Sequence, residues 1–230
     1  MVHSALEKNP FGTVSELEDN VMEHWSDLGF DVPWVDKFWR KKLDGMLVGM
    51  AEYVSYAKAQ NREVLAKEQI FTVKLDIPNS ENKILITGSI DRIEKTEADT
   101  ILIIDFKTGT PKCKLEANIE EHRQLQSYQL AYRIGELSNR DGNIVERGLS
   151  VEGAALIYPT PKAVRNKHKV FGQTKMTDDQ FEDFKKHLIA VAESMHTTNF
   201  EGKAEVDDDF GDGNKFKQKL FRTPEVSSDE

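Results

Sequence analysis

The sequence predicts an α/β sandwich: a mixed central sheet flanked by helices. Three observations lead there. Up to about residue 61, apolar residues recur at three- and four-residue spacing, the period of amphipathic helices. From Glu68 the pattern changes to the alternation of half-buried strands, over three runs joined by short connections, which makes them an antiparallel meander. A helical stretch then separates these from a fourth apolar run. That run is expected to pair in parallel with the third, through a right-handed crossover.

Taken in order, Met1–Leu6 already reads as the inside of a helix, so the chain is expected to be a piece of a longer protein. Val14, Leu17, Val21 and Trp25 predict a helix over 14–28 that Gly29 ends. Pro33 suits the start of a second helix, over about 35–61. Its stripe of Phe38, Trp39, Leu43, Met46, Leu47, Met50, Tyr53 and Val54 is read as core. Strands are expected at 68–75, 84–94 and 100–107, with a turn at Asn79–Asn82. A helix is expected over 119–137, a polar loop over 138–148 and the fourth strand over 151–158. Residues 159–175 are basic and contain proline. Thr177-Asp-Asp-Gln180 is a capping box that opens a last helix running to about Met195. Composition assigns residues 1–200 to one domain, with helices over 1–62 and the sheet-bearing core over 63–200. A polar tail over 201–230 is expected to be mobile.

The 230 residues carry 31 Lys and Arg against 40 Asp and Glu, a net charge of −9. So acidic a chain is not expected to capture nucleic acid tightly on its own. One cysteine, Cys113, rules out an intrachain disulfide framework and a four-cysteine metal or cluster site. No apolar run has the length of a membrane span, and a cytoplasmic location is the default expectation.

The chemistry-bearing residues lie between the second strand and the next helix. Asp105 and Lys107 are two apart on one strand, so their side chains share a face, and Asp91 can reach that face from the neighbouring strand. The two carboxylates and the backbone carbonyl of Phe106 would offer hard oxygen ligands to Mg²⁺ or Mn²⁺, and Lys107 would sit beside a metal-bound water. An Asp-x-Lys at a strand end serves equally as an exposed ion pair. Against that, Asp105 follows Ile101-Leu102-Ile103-Ile104, apolar at every position as in a strand buried on both faces.

Gly88-Ser-Ile-Asp91-Arg92-Ile93, then Ile104-Asp105-Phe106-Lys107-Thr108-Gly109, then Gln124-Leu-Gln-Ser-Tyr128 resembles the RecB-like branch of the PD-(D/E)XK nuclease superfamily, with its restriction-endonuclease-like core. The resemblance implies that Asp91 and Asp105 hold the metal, that Lys107 is catalytic, and that Gln124 and Tyr128 line the site. The last two are four apart and share one helix face, which also fits an ordinary amphipathic helix. Val2-His3 is similar to the end of a family motif whose histidine joins the metal site. Glu68 matches an acid that recurs at the first strand. Leu28-Gly-Phe-Asp-Val-Pro-Trp34 resembles the C-terminal nuclease domains of actinobacterial AdnA/AdnB-type (UvrD/Rep-like) helicase–nucleases. Many of these close with a cysteine-held iron–sulfur cluster, and residues 199–222 contain no cysteine, so no iron–sulfur cluster is expected. Nor is there a Gly-x-x-x-x-Gly-Lys-Ser/Thr motif, so a motor would lie in a missing N-terminal region or a partner subunit.

The resemblance implies a metal-dependent deoxyribonuclease, with exonuclease action in double-strand break repair on single-stranded DNA delivered by a helicase. A nuclease-like scaffold that guides DNA and a stand-alone structure-specific nuclease are the alternatives. Arg92, Thr108, Lys112, Lys114 and His122 are further candidates for supporting the site or meeting DNA. The basic run Lys162–Lys169 is either a phosphate contact or a solvated loop. Asp207–Gly213 invites a calcium-loop reading, but the twelfth position is Gln218 rather than Glu.

Overall fold

A computed structural model describes residues 2–78, 80–111, 115–139, 147–159 and 168–195, with side chains from Ala5 onward. All belong to the unit Met1–Thr198. The expected tail, Lys112 to Lys114 and the basic run before His168 lie outside the described residues. Three helices lead: α1 (Val2–Lys8), α2 (Val14–Met22) and α3 (Pro33–Ala59). The meander follows as β1 (Glu63–Asp76), β2 (Lys83–Lys95) and β3 (Thr100–Phe106). Then come α4 (Arg123–Ile134), β4 (Glu136–Ser138), β5 (Ser150–Pro159), β6 (His168–Thr174) and α5 (Asp178–Met195). The strands form one mixed sheet in the order β4-β1-β2-β3-β5-β6. β3 and β5 are parallel, as expected, and the other pairings are antiparallel.

The local devices are those the residue types dictate. Thr13 and Glu16 form a reciprocal capping box at α2. A short 3₁₀ turn over Trp25–Leu28 follows, and Gly29 closes it in the left-handed conformation at φ 60°. Thr177 and Gln180 cap α5 by the same exchange of bonds. Among the described residues, no helix is long and apolar enough to cross a membrane.

Beyond the early end of the helix expected over 14–28, at Met22, and the earlier start of β1, at Glu63 rather than Glu68, two elements differ from expectation. The helix expected over 119–137 splits into a 3₁₀ turn at Ile119–Glu121, α4, and then β4, which pairs with β1. Gly135 ends α4 because the chain must turn there against its own helix: a Cβ at that position would lie 2.7 Å from the carbonyl oxygen of Ala131. The other difference is β6. His168–Thr174 pairs with Gly153–Pro159 of β5 and forms an edge of the sheet, where the sequence showed only a basic segment.

Helices cover the sheet on both faces. On one, Ile101 and Ile103 of β3 pack with Leu125, Tyr128 and Leu130 of α4 and with Phe181 and Phe184 of α5. On the other, Ile104 and Phe106 pack with Leu47, Met50, Tyr53 and Val54 of α3 and with residues of α1 and α2. β3 is therefore buried on both sides, as its unbroken apolar run requires. The α3 stripe is core only from Leu43 onward; Phe38 and Trp39 at its start are exposed.

Behind the sheet lies a buried polar knot absent from the sequence reading. Glu94, 0% exposed, accepts from Tyr53 of α3 at 3.0 Å, from Arg92 at 2.7 Å and from Arg62 at 3.4 Å. Arg92 also donates to the carbonyl of Pro10 at 2.6 Å. One carboxylate thus ties β2 to α3 and, through Arg92, to the loop after α1.

Two outcomes follow from this packing. Glu94→Ala leaves two guanidinium groups facing each other in the interior, and should cost about 3–5 kcal/mol in urea unfolding. Loss below 1 kcal/mol would mean that water reaches the knot. Gly88→Ala places a methyl 2.7 Å from the Phe71 ring, which itself stands edge-on to Tyr128 at 6.0 Å. Overpacking of this kind costs about 1–3 kcal/mol. Phe71→Leu in the same chain should recover part of it.

Candidate active site

Strand β3 delivers Asp105 to the end of the sheet while still under the cover of α4. The residue is 3% exposed. Its Oδ1 accepts hydrogen bonds from the Tyr128 hydroxyl at 2.8 Å and from Gln124 Nε2 at 3.0 Å. Gln124 Nε2 also reaches the Tyr128 oxygen, at 2.6 Å. Spaced one turn apart, the two side chains lean together over the carboxylate. The Lys107 ammonium lies 2.7 Å from Oδ2. Burial pushes the Asp105 carboxyl above the usual carboxylate range and the nearby Asp91 charge adds to this, although Lys107 and Tyr128 pull the other way. Burial, together with the Asp105 charge, raises the Tyr128 phenol far above its ordinary value, so it stays a proton donor.

Asp91 comes from β2. Its Oδ2 accepts the backbone N–H of Phe106 at 2.7 Å, which fixes it against the end of β3. Its placement depends on a local change of face, within a β1–β2 register that runs unbroken there; the bulge lies further along, between Val64 and Ala66. Lys67 pairs with Arg92 and Gln69 with Ile90, so Glu68 falls opposite Asp91 in the register. On the near side of this step Gln69, Phe71 and Ile90 follow the α4 face. Beyond it Ile93 keeps that face, while Arg92 and Glu94 turn to α3. Side-chain alternation in β2 has moved by one at Asp91. Glu68 takes up the mismatch with a left-handed φ of 46°, a conformation that costs a non-glycine residue about 1–3 kcal/mol. Ser89 Oγ reaches Glu68 Oε2 at 3.5 Å.

The sequence candidates therefore divide. Asp91, Asp105, Lys107, Gln124 and Tyr128 meet at one end of the sheet, and Phe106 adds its N–H, which Asp91 accepts. Glu68 lines a small cleft with Asp91, Lys67 and the α1 residues Leu6 and Glu7. Arg92 is corrected: at 2% exposure, held by Glu94 and Pro10, it cannot meet a nucleic acid, and it instead pins the loop that follows α1. Thr108 is exposed beyond the site, beside an apolar groove. His122 stands before the first turn of α4, where its carbonyl accepts from Gln126 and Gln173. His3 lies one helical turn before Glu7, and its side chain, like Lys112 and Lys114, lies outside the described residues.

Glu7 and Lys67 were not legible as neighbours of Asp91, because only packing of α1 against the sheet brings them there. Lys67 Nζ donates to the Glu7 carbonyl.

The donor set suits a hard cation. Two carboxylates on adjacent strands, one of them raised in pKa by burial, gain from a cation placed between them. Among the described residues no cluster of three or more His, Cys, Asp and Glu could hold a metal, so the protein would supply few ligands. Mg²⁺ accepts that, since it keeps several of its waters.

The raised Asp105 carboxyl makes a stability prediction with a definite sign. A group with a higher pKa in the folded state favours folding below its unfolded pKa, and that contribution is lost as pH rises through the folded value. Asp105→Asn abolishes this loss. Its stability relative to the parent chain should therefore improve as pH rises above the ordinary aspartate value of about 4 in denaturant titrations. A relative decline over that range would mean that ion pairing with Lys107 outweighs burial.

No curated protein matches the chain. A solved structure titled "Crystal structure of SSO0001" is 15% identical, over 75% of this chain and 68% of that one, at a TM-score of 0.34, a likeness too loose to bear on function. The sequence profile of the PD-(D/E)XK nuclease superfamily matches residues 1–207. That span contains the whole sheet, both carboxylate strands and the helix that covers them, and the chain belongs to the PD-(D/E)XK nuclease superfamily.

Proposed function

We propose that the chain is a metal-dependent DNA nuclease that hydrolyses phosphodiester bonds at the Asp91–Asp105–Lys107 site. The observation that carries this reading is the 2.7 Å contact between Lys107 and the buried Asp105, caged by Gln124 and Tyr128, with Asp91 anchored alongside on Phe106. Such a cage has no use in an ion pair that merely decorates a strand end. Asp91 and Asp105 would hold Mg²⁺ or Mn²⁺, and the ion when bound supplies an activated water and charge to offset that of the phosphate.

The residues of the chain do the positioning. Tyr128 and Gln124 donate to Oδ1 of Asp105 and so hold the carboxylate in one rotamer. The N–H of Phe106 does the same for Asp91. Lys107, with its side chain 29% exposed, reaches from the buried carboxylate towards solvent, where it can hydrogen-bond an attacking water or a phosphate oxygen. Tyr128 keeps its proton throughout and is a positioning residue, not a proton carrier.

Exonuclease action and a place in a helicase–nuclease that processes double-strand breaks extend the same proposal, on the resemblance of residues 28–34 and of the three motifs. The net charge of −9 supports delivery by a motor, since an acidic chain gains little from phosphate attraction.

The test uses labelled single-stranded DNA with Mn²⁺. Asp105→Ala and Lys107→Ala should each lower cleavage by at least about a hundredfold, and chelation should abolish it. Tyr128→Phe should cost less, on the order of tenfold, because Gln124 still holds Oδ1. Cleavage by the parent chain no faster than by Asp105→Ala would overturn the proposal and favour a guiding scaffold.

A further inference from the structure

The first turns of α3 carry a surface that the core reading of the sequence concealed. Extending the buried positions Leu43, Met46 and Leu47 back by seven residues reaches Asp36, Trp39 and Arg40. Trp34 and Phe38 fall off that stripe, and they are 72% and 59% exposed. With Lys37 and Lys41 they make an i, i+3, i+4, i+7 row that alternates aromatic and cation. Trp39, 40% exposed, stands edge-on to Phe38 at 5.6 Å and carries the Lys42 ammonium 4.6 Å from its ring centre.

Beside this row runs a groove of about 470 Å³, floored by Trp25, Leu43 and Met46. Its far wall is Thr108 and Gly109, the residues directly after Lys107. The groove therefore opens where the active strand ends. Four cations, Lys37, Arg40, Lys41 and Lys42, fall within six residues of a chain whose net charge is −9. Asp36, the acid among them, is occupied by Arg40 at 2.8 Å and by the Trp25 indole at 2.6 Å. Asp31 and Asp44 flank the stretch.

We propose that this face is a track for single-stranded DNA leading to Asp105. Unpaired bases stack on Trp34, Phe38 and Trp39, and Lys37, Lys41 and Lys42 meet the phosphates. The proposal rests on the nuclease reading and adds the path its substrate takes. Exposed aromatics alone would suit a protein partner. Lysine, however, is depleted where proteins bury apolar surface against each other, and here a cation lies within one turn of each aromatic. Aromatic platforms interleaved with cations are what an unstacked polynucleotide needs, since every base has a π-face and every residue of the strand a charge. A duplex offers the charges without the faces.

The three tryptophans of the chain, Trp25, Trp34 and Trp39, all lie on this face or in its groove, so tryptophan emission, excited selectively over the tyrosines, reports on it alone. Oligo(dT) of about 15 nucleotides, spanning one such site, is titrated in EDTA, where cleavage does not intervene. Emission should be quenched saturably. Trp34→Ala and Phe38→Ala, both at exposed positions that leave the core intact, should each weaken binding about tenfold. Lys37→Gln with Lys41→Gln should flatten the dependence of log affinity on log salt by about one. A duplex of equal length should bind more weakly.

No quenching, equal affinity in the aromatic variants, or equal affinity for duplex overturns the track. Self-association in sedimentation that Trp34→Ala abolishes and oligo(dT) does not displace also overturns it, in favour of a protein interface. The two proposals separate cleanly. Cleavage with Mn²⁺ but no effect of Trp34→Ala removes the track and leaves the nuclease. Aromatic-dependent binding without cleavage leaves the track and removes the nuclease.

Discussion

Asp105 carries a carboxylate to a place where water hardly reaches, because β3 is packed by α3 on one face and by α4 and α5 on the other. A buried carboxylate is costly unless its lone pairs are engaged. That constraint explains the neighbourhood. Tyr128 and Gln124 occupy Oδ1, Lys107 occupies Oδ2, and Gly88 admits the Phe71 ring that stands against Tyr128. Even so, burial wins, and the carboxyl remains above its ordinary range. A site left with this imbalance favours a cation near it. Stability given up there is typical of functional positions.

Asp91 is placed by a different means. Rather than sitting at a strand end, it occupies the step at which β1 and β2 change face, opposite Glu68 in its left-handed conformation. The change of face sends Ile93 to one core and Arg92 with Glu94 to the other. The buried knot of Glu94, Arg92, Arg62 and Tyr53 then locks the far side of the same strand to α3. Through Pro10 it also holds the loop after α1, whose Leu6 and Glu7 line the cleft at Asp91. The leading helices are thus tied to the site through the buried Glu94 carboxylate and through Lys67, which holds the Glu7 carbonyl.

The acidic balance of the chain and the basic face of α3 belong to one electrostatic picture. A negative molecule repels a polyanion except where its cations are gathered, so a local row of lysines both selects an entry point and keeps the remaining surface free of non-specific contacts. Stacking supplies an attraction that salt screens little.

Periodicity, with the short connections and the intervening helix, was enough for the α/β class, the meander and the parallel fourth strand, because an apolar pattern of period two or three to four reports directly on which faces are buried. The Asp-x-Lys at the end of an unbroken apolar run was legible for the same reason, whereas Gln124 and Tyr128 entered through the family resemblance, their spacing showing only a shared helix face. These are local relations along one strand and one helix. Phe38 and Trp39 misled the core reading, although the register of the α3 stripe already set Phe38 aside. β4 and β6 were hidden, since a three-residue strand and an edge strand have no pattern of their own and exist only through pairing with β1 and β5. The face slip at Asp91, the Glu94 knot and the approach of Glu7 and Lys67 join residues far apart in the chain. Tertiary structure alone decided those, because burial of a charge depends on what packs over it and not on its neighbours in sequence.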